Sequence, residues 1–262
     1  MIWASYNPLY SIAGFLVGTL VGLTGVGGGS LMTPLLVLLF NFHPATAVGT
    51  DLLYASVTKT VGTVVHGKRS TVDWRIVGRL ALGSLPAAAV TLVMLATFGS
   101  LNQQTAHVLG ALLGASLILT SASIFLRPQI LAWAEPRMRG SSDRTIARMT
   151  VLTGIIIGVL VSITSVGAGA LGVTALLVLY PKLPMARIAG TDIAHAVPLT
   201  LLAGLGHLWV TPIGVSLLAA LLIGSIPGII LGSLLGTRAS DRVLRPILAA
   251  TLLIVGIRLL IV

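Results

Sequence analysis

The sequence predicts an all-α, polytopic membrane protein built from two related halves of opposite membrane orientation. Three observations carry this: the composition, an internal duplication, and an alternation of basic loops that reverses between the halves. Of 262 residues, 56% are apolar and only 8% are charged, with a mean hydropathy of +1.05. A soluble domain of this length needs more charge to cover its surface, and repeated apolar runs of about 20 residues are read as membrane helices.

Eight apolar stretches fall into two sets of four. The first set is Ser11 to Phe40, Val48 to His66, Ile76 to Phe98 and Val108 to Leu126. A polar, basic connector follows, and the second set is Met149 to Tyr180, Ile193 to Val210, Ile213 to Leu235 and Val243 to Val262. Each set opens on a run too long for one ordinary span and broken by glycine, LTGVGGGSLMTP in the first and ITSVGAGALGVT in the second. These two runs align: Gly14, Gly18, Thr24, Val26, Gly27, Gly29 and Leu31 recur as Gly154, Gly158, Thr164, Val166, Gly167, Gly169 and Leu171. Gly49-Thr50-Asp51 then recurs as Gly190-Thr191-Asp192, His66 as His207, and Gly83-Ser84-Leu85-Pro86 as Gly224-Ser225-Ile226-Pro227. The chain is therefore read as a duplication, with a first transmembrane repeat at 1–126, a cytoplasmic connector at 127–148 and a second repeat at 149–262.

The charges predict that the repeats are inverted. In half one the first and third loops carry no Lys or Arg, while the second has Lys68, Arg69 and Arg75. In half two the first loop has Lys182 and Arg187, the second none, and the third Arg238, Arg242 and Arg245. If Lys and Arg mark the cytoplasmic side, equivalent loops lie on opposite sides. Lys59 and Arg258 fall within apolar runs, and the remaining Lys and Arg can all be placed on the cytoplasmic side. That puts the connector inside and both termini outside. Each half then crosses an odd number of times: three full spans plus a glycine-broken hairpin that returns on one side, or five spans if the hairpin crosses fully twice.

The basic balance, a formal net charge of +10, sits in short loops and not on a face with interleaved aromatics, so a nucleic-acid partner is not expected. The absence of cysteine excludes disulfides and thiolate metal sites. MIWASYNPLY has no basic n-region and no small-x-small cleavage site, so it is expected to be a membrane segment and not a removed signal.

Paired glycine-interrupted segments in inverted halves point to a binding site at mid-bilayer. Backbone that leaves the helix there is tolerated only against protein or a wet cavity. If helices resume at Leu31 and Leu171, their N-termini present N–H groups and a positive dipole end to a small anion. Close helix packing is the competing reading for Gly14, Gly18, Gly22, Gly154 and Gly158. Of the six acids only Asp51 and Asp192 fall at spans, in equivalent positions. On a helix Asp51, Ala55, Thr58, Gly62 and His66 share a face with Lys59 at its edge, matched by Asp192, Ala196, Ala203 and His207, with His195 one turn from Asp192. Thr-Asp also suits a helix N-cap, and Lys59 needs a partner, either Asp51 or a bound anion. His66 and His207 are also readable as interface residues, and Arg258 as snorkelling.

With GVGGGSLMTPLL, VGTDLL and their second-half echoes in view, nearly the whole chain resembles the TauE/SafE, or sulfite exporter, family. The second glycine-rich element departs from the pattern at Ala168 and Thr174. The resemblance implies a multi-pass inner-membrane protein that moves small sulfur oxoanions or organosulfonates, such as sulfite, outward. The expected substrate site comprises Thr24, Gly27, Gly28, Gly29, Ser30, Lys59, Thr164, Ser165, Gly167, Ala168, Gly169 and Ala170. Asp51, Asp192, His195, His66 and His207 are the expected coupling or structural polar groups. An enzyme is not expected: no HExxH occurs, the carboxylates are few, and no catalytic residue, metal or cofactor is called for. The expected partners are a small anion and membrane lipid, with homo-oligomerisation open. A channel, or a carrier of another solute, is the alternative.

Overall fold

A computed structural model describes residues 8–24, 29–98, 103–138, 140–235 and 241–261, and among them every regular element is helical. Half one contributes α1 (Pro8–Thr24), α2 (Gly29–Leu38), α3 (Pro44–Lys68), α4 (Trp74–Phe98) and α5 (Gln103–Phe125). The connector is itself partly helical, α6 (Arg127–Met138), with the Arg137 guanidinium 3.9 Å from the Trp133 ring centroid one turn away. Half two contributes α7 (Asp143–Thr164), α8 (Ala170–Leu179), α9 (Met185–His207), α10 (Val215–Leu235) and α11 (Asp241–Ile261).

Among the described residues, five helices are long and apolar enough to cross a membrane: Trp74–Thr97, Ala106–Phe125, Asp143–Thr164, Met185–His207 and Val215–Gly232. Leu, Ile and Val side chains stand exposed along them, as lipid-facing surface does. The 25-residue α3 is long enough to span but carries Thr, Ser, Asp and Lys through its middle. It can do so because those residues are buried in protein.

The glycine break of half two has a visible cause. Ser165 caps α7 in the left-handed region at φ 58°, and Gly167 and Gly169 follow at φ 123° and 141°. Three left-handed residues out of five cannot belong to a right-handed helix, and glycine occupies such backbone without a steric penalty. After the break α8 returns the way α7 came. The Tyr180 hydroxyl just beyond α8 lies 2.8 Å from Thr150 Oγ1, early in α7. In half one the Tyr10 and Phe40 rings meet edge-on at 4.8 Å, so that segment also starts and finishes at one end of the bundle.

Each of the eight longer helices outside the connector has its chief partner in the other half: α1 packs on α10, α7 on α4, α3 on α9, and α5 on α11. The first two interfaces share a register. A Cβ on Gly14 or Gly18 would overlap the Leu221 or Ser225 backbone, and one on Gly154 or Gly158 the Leu80 or Ser84 backbone, at equivalent positions. Close packing is thus the role of these glycines. In the α3–α9 crossing Leu53 lies beside Gly204 and Gly62 beside Ile193, so these equivalent helices run in opposite directions. The α5–α11 pair is likewise antiparallel, with Gly114 against Gly256 and Ser121 Oγ donating to the Ala249 carbonyl at 2.7 Å.

Helix starts differ from the apolar pattern. Pro44 sits in the first turn of α3, and the His43 side chain caps it by accepting from the Ala45 N–H at 3.3 Å, so the helix begins before Val48. Asp51 and Asp192 lie two turns inside α3 and α9, and neither is an N-cap.

Candidate functional site

The α3–α9 crossing buries an unusual set of groups. Asp51, Asp192 and His195 have no exposed surface, and Lys59 has 2%. The expected polar face is the buried one: Ala55, Thr58 and Gly62 on α3, and Ala196, Ala203 and His207 on α9. A buried ionised group is costly unless paired and hydrogen-bonded, so each partner matters. Thr33, on α2, donates its hydroxyl to Asp51 Oδ2 at 2.5 Å. Ser165 Oγ stands close enough to influence the same carboxylate but lacks hydrogen-bond geometry to it. Lys59 Nζ donates to the Ala168 carbonyl oxygen at 3.2 Å, inside the break of the other half. Its ammonium is within electrostatic range of both Asp192 and Asp51, yet it forms no salt bridge with either. The carboxylate of Asp192 lies against Gly172, where a Cβ would overlap Oδ1.

The break itself spends some of the groups expected to face a ligand. Thr164 Oγ1 donates to the Leu160 carbonyl at 2.7 Å and accepts from the Val166 N–H at 3.2 Å, so its proton is committed to closing α7. At the start of α8 the Gly172 and Val173 N–H groups donate to the Gly167 and Gly169 carbonyls. Ser165 Oγ, by contrast, is buried without a hydrogen-bond partner among the described residues. Of Gly167, Ala168, Gly169 and Ala170, Ala168 is the residue seen to meet Lys59, through its carbonyl. Gly27 and Gly28 lie outside the described residues. For Thr24, Gly29 and Ser30 the helical backbone is described and the side chains are not.

His66 and His207 do not join this cluster. His66 Nδ1 lies 2.9 Å from Thr71 Oγ1 at the end of α3. His207 is buried, and its Nε2 donates to the Ser162 carbonyl at 2.8 Å. Each ring occupies space left by a motif glycine of the other half, His66 beside Gly190 and His207 beside Gly49. His195 Nε2 pairs with Ser84 Oγ at 2.8 Å, leaving Nδ1 without a partner among the described residues. At the equivalent place in the other half, Ser225 Oγ lies 3.0 Å from Thr58 Oγ1, under Tyr54.

Thr33, Ser84 and Ser225 are residues that sequence reasoning did not place here. The two serines had a signal in the recurring Gly-Ser-x-Pro motif. Thr33 had none, being one hydroxyl in an apolar run. Arg258 does more than reach for the surface: with His107 and Asn41 it lines a cavity of about 440 Å³ between α2, α5 and α11.

Comparison with known proteins adds an independent line. A family model described as Sulfite exporter TauE/SafE matches residues 10–259. The probable membrane transporter protein YjnA of Bacillus subtilis is 38% identical over 250 residues, 95% of this chain and 98% of that protein. The probable membrane transporter protein YdhB of the same organism is 27% identical over 94% of this chain and 97% of its own length. A probable membrane transporter protein of Methanocaldococcus jannaschii is 26% identical over 97% of this chain and 95% of its own. No solved structure matches the chain.

Proposed function

The chain belongs to the sulfite exporter TauE/SafE family, and on that premise we propose that it exports sulfite or a related small sulfur oxoanion or organosulfonate. The observation that carries this reading is Lys59, a buried ammonium held on the backbone of a helix break at the centre of the bundle. An intramembrane cation beside broken helices marks a pathway and not packing. The substrate anion would lie against Lys59, the free Ser165 hydroxyl and the N-terminal end of α8, whose dipole favours negative charge. Thr24, Gly27, Gly28, Gly29 and Ser30 would supply the opposing wall from half one. The two hairpins would be the elements whose rocking opens the site to either side, as inverted repeats allow.

The basic ends of the helices would face the cytoplasm of an inner-membrane protein, with both termini outside. Antiparallel packing of α3 on α9 and of α5 on α11 supports this orientation. The deciding experiment is flux of radiolabelled sulfite and of an alkylsulfonate in proteoliposomes. Saturable flux that Lys59→Ala reduces at least tenfold is expected. Flux untouched by both Lys59→Ala and Ser165→Ala removes this pocket, and flux that never saturates makes the protein a channel.

A further inference from the structure

Two equivalent carboxylates and one ammonium share the centre of the bundle, and the duplication explains the imbalance. Asp51 has its counterpart in Asp192, but the position equivalent to Lys59 is Thr200, whose hydroxyl donates to the Ala196 carbonyl at 2.8 Å. Half two therefore keeps the acid and lacks the base. One ammonium compensates one carboxylate. A second ionised carboxylate in the same dry interior would remain uncompensated, which costs several kcal/mol.

The surroundings decide which acid carries the charge. Asp51 Oδ2 accepts the Thr33 hydroxyl, and Ser165 stands nearby. Among the described residues, both oxygens of Asp192 are buried without a hydrogen-bond partner. The nearest backbone offers none, because the Gly172 N–H is committed to the Gly167 carbonyl at 3.2 Å. The other titratable groups on the packed elements are few. From α3 come Lys59, Asp51 and, near Gly190, His66. From α4 comes Arg79, bound to Asp143 of α7 and to Tyr180 beyond α8 at the bundle end. On α9 itself His195 is one turn away, held by Ser84.

We propose that Asp192 is the proton carrier of the transport cycle. In this conformation it is the neutral acid. When the site opens to water its O–H bond breaks, the proton passes to water, and the carboxylate left behind pairs with Lys59 once Asp51 or a substrate anion no longer claims that charge. Transport of the anion is thereby coupled to movement of a proton. This rests on the export reading for its purpose, though not for its measurement.

The test is infrared difference spectroscopy of the full chain in liposomes through a pH jump, with no substrate added. A protonated-carboxyl band is expected near neutral pH, lost in Asp192→Asn, kept in Asp51→Asn, and kept with a shift in Asp192→Glu. The last variant retains a titrating group and guards against misfolding as the explanation. A wild-type chain without the band overturns the proposal, as does a band that survives Asp192→Asn. A band that appears only when sodium is withdrawn overturns it in favour of a sodium site. Because the readout needs no sulfite, a failed sulfite flux would defeat the export reading and leave this one standing.

Discussion

Lys59 and Ala168 stand in opposite halves of the duplication, yet the ammonium of one donates to the carbonyl oxygen of the other at 3.2 Å. A helix break inside a membrane protein leaves carbonyls that water cannot reach, and each needs a donor from the protein. Here the donor is a charged side chain that also compensates buried carboxylate. One residue therefore holds the shape of the break and adds positive charge to the site, so its replacement removes both, and a second change at Asp51 separates them.

Lys59→Met keeps most of the length of the side chain and removes its charge. Lys59 forms no ion pair with Asp51, yet the change removes an ammonium within electrostatic range of that buried carboxylate and leaves it uncompensated, at a cost of about 2 kcal/mol. Adding Asp51→Asn removes the orphaned charge and is expected to restore most of that loss. Thermal unfolding in detergent reads both effects, while sulfite flux should stay low in the double variant. A double variant as unstable as Lys59→Met alone would show that Lys59 does not compensate Asp51.

Thr33→Val removes the Thr33 hydroxyl that donates to Asp51 while preserving volume. A buried acceptor left without its donor costs about 2 kcal/mol, and more when charged. Thr33→Ser keeps the donor and should lie within about 1 kcal/mol of the natural chain. Equal melting temperatures for Val and Ser would mean that the hydroxyl does not support this carboxylate.

Much of this arrangement was legible because membrane helices bury polar groups only for a reason. Asp51, Thr58 and Lys59 at helical spacing marked a buried face, and α3 buries it. The glycine pattern marked a break, and left-handed Gly167 and Gly169 form one. Pairing was not legible. Small residues at Gly14 and Gly18 say that another backbone comes close, and nothing in their spacing says that it belongs to α10. The roles of Gly49 and Gly190 were hidden likewise, because the histidine each accommodates comes from the other half. The start of α3 was misplaced because hydropathy rises only at Val48, while helix start is set by His43 and Pro44.

Gly169→Ala tests the break directly. The residue sits at φ 141°, outside the range an L side chain adopts, so a Cβ there costs about 1–3 kcal/mol of backbone strain. Ala168, its neighbour, carries a side chain already, and Ala168→Gly should cost less than about 1 kcal/mol. Flux and melting temperature should both fall in the first variant and barely move in the second. Comparable losses in the two would mean that the break does not depend on left-handed backbone at 169.

Orientation can be mapped without background, since the chain contains no cysteine. Lys68 and Lys182 are exposed at the end where Arg75 and Arg79 both meet Asp143. Trp209, 89% exposed, follows α9 at the opposite end. Single cysteines at Lys68 and Lys182 should be protected from a membrane-impermeant maleimide in intact cells and labelled after lysis. A cysteine at Trp209 should label in intact cells. The Lys68 and Lys182 loops sit at different places in their repeats, after the third helix in half one and after the second in half two. Inversion alone puts them on one face. If Lys182→Cys labels from outside while Lys68→Cys does not, the halves point the same way. The broken hairpins then enter from one side, and a site reached alternately through each of them has no structural basis.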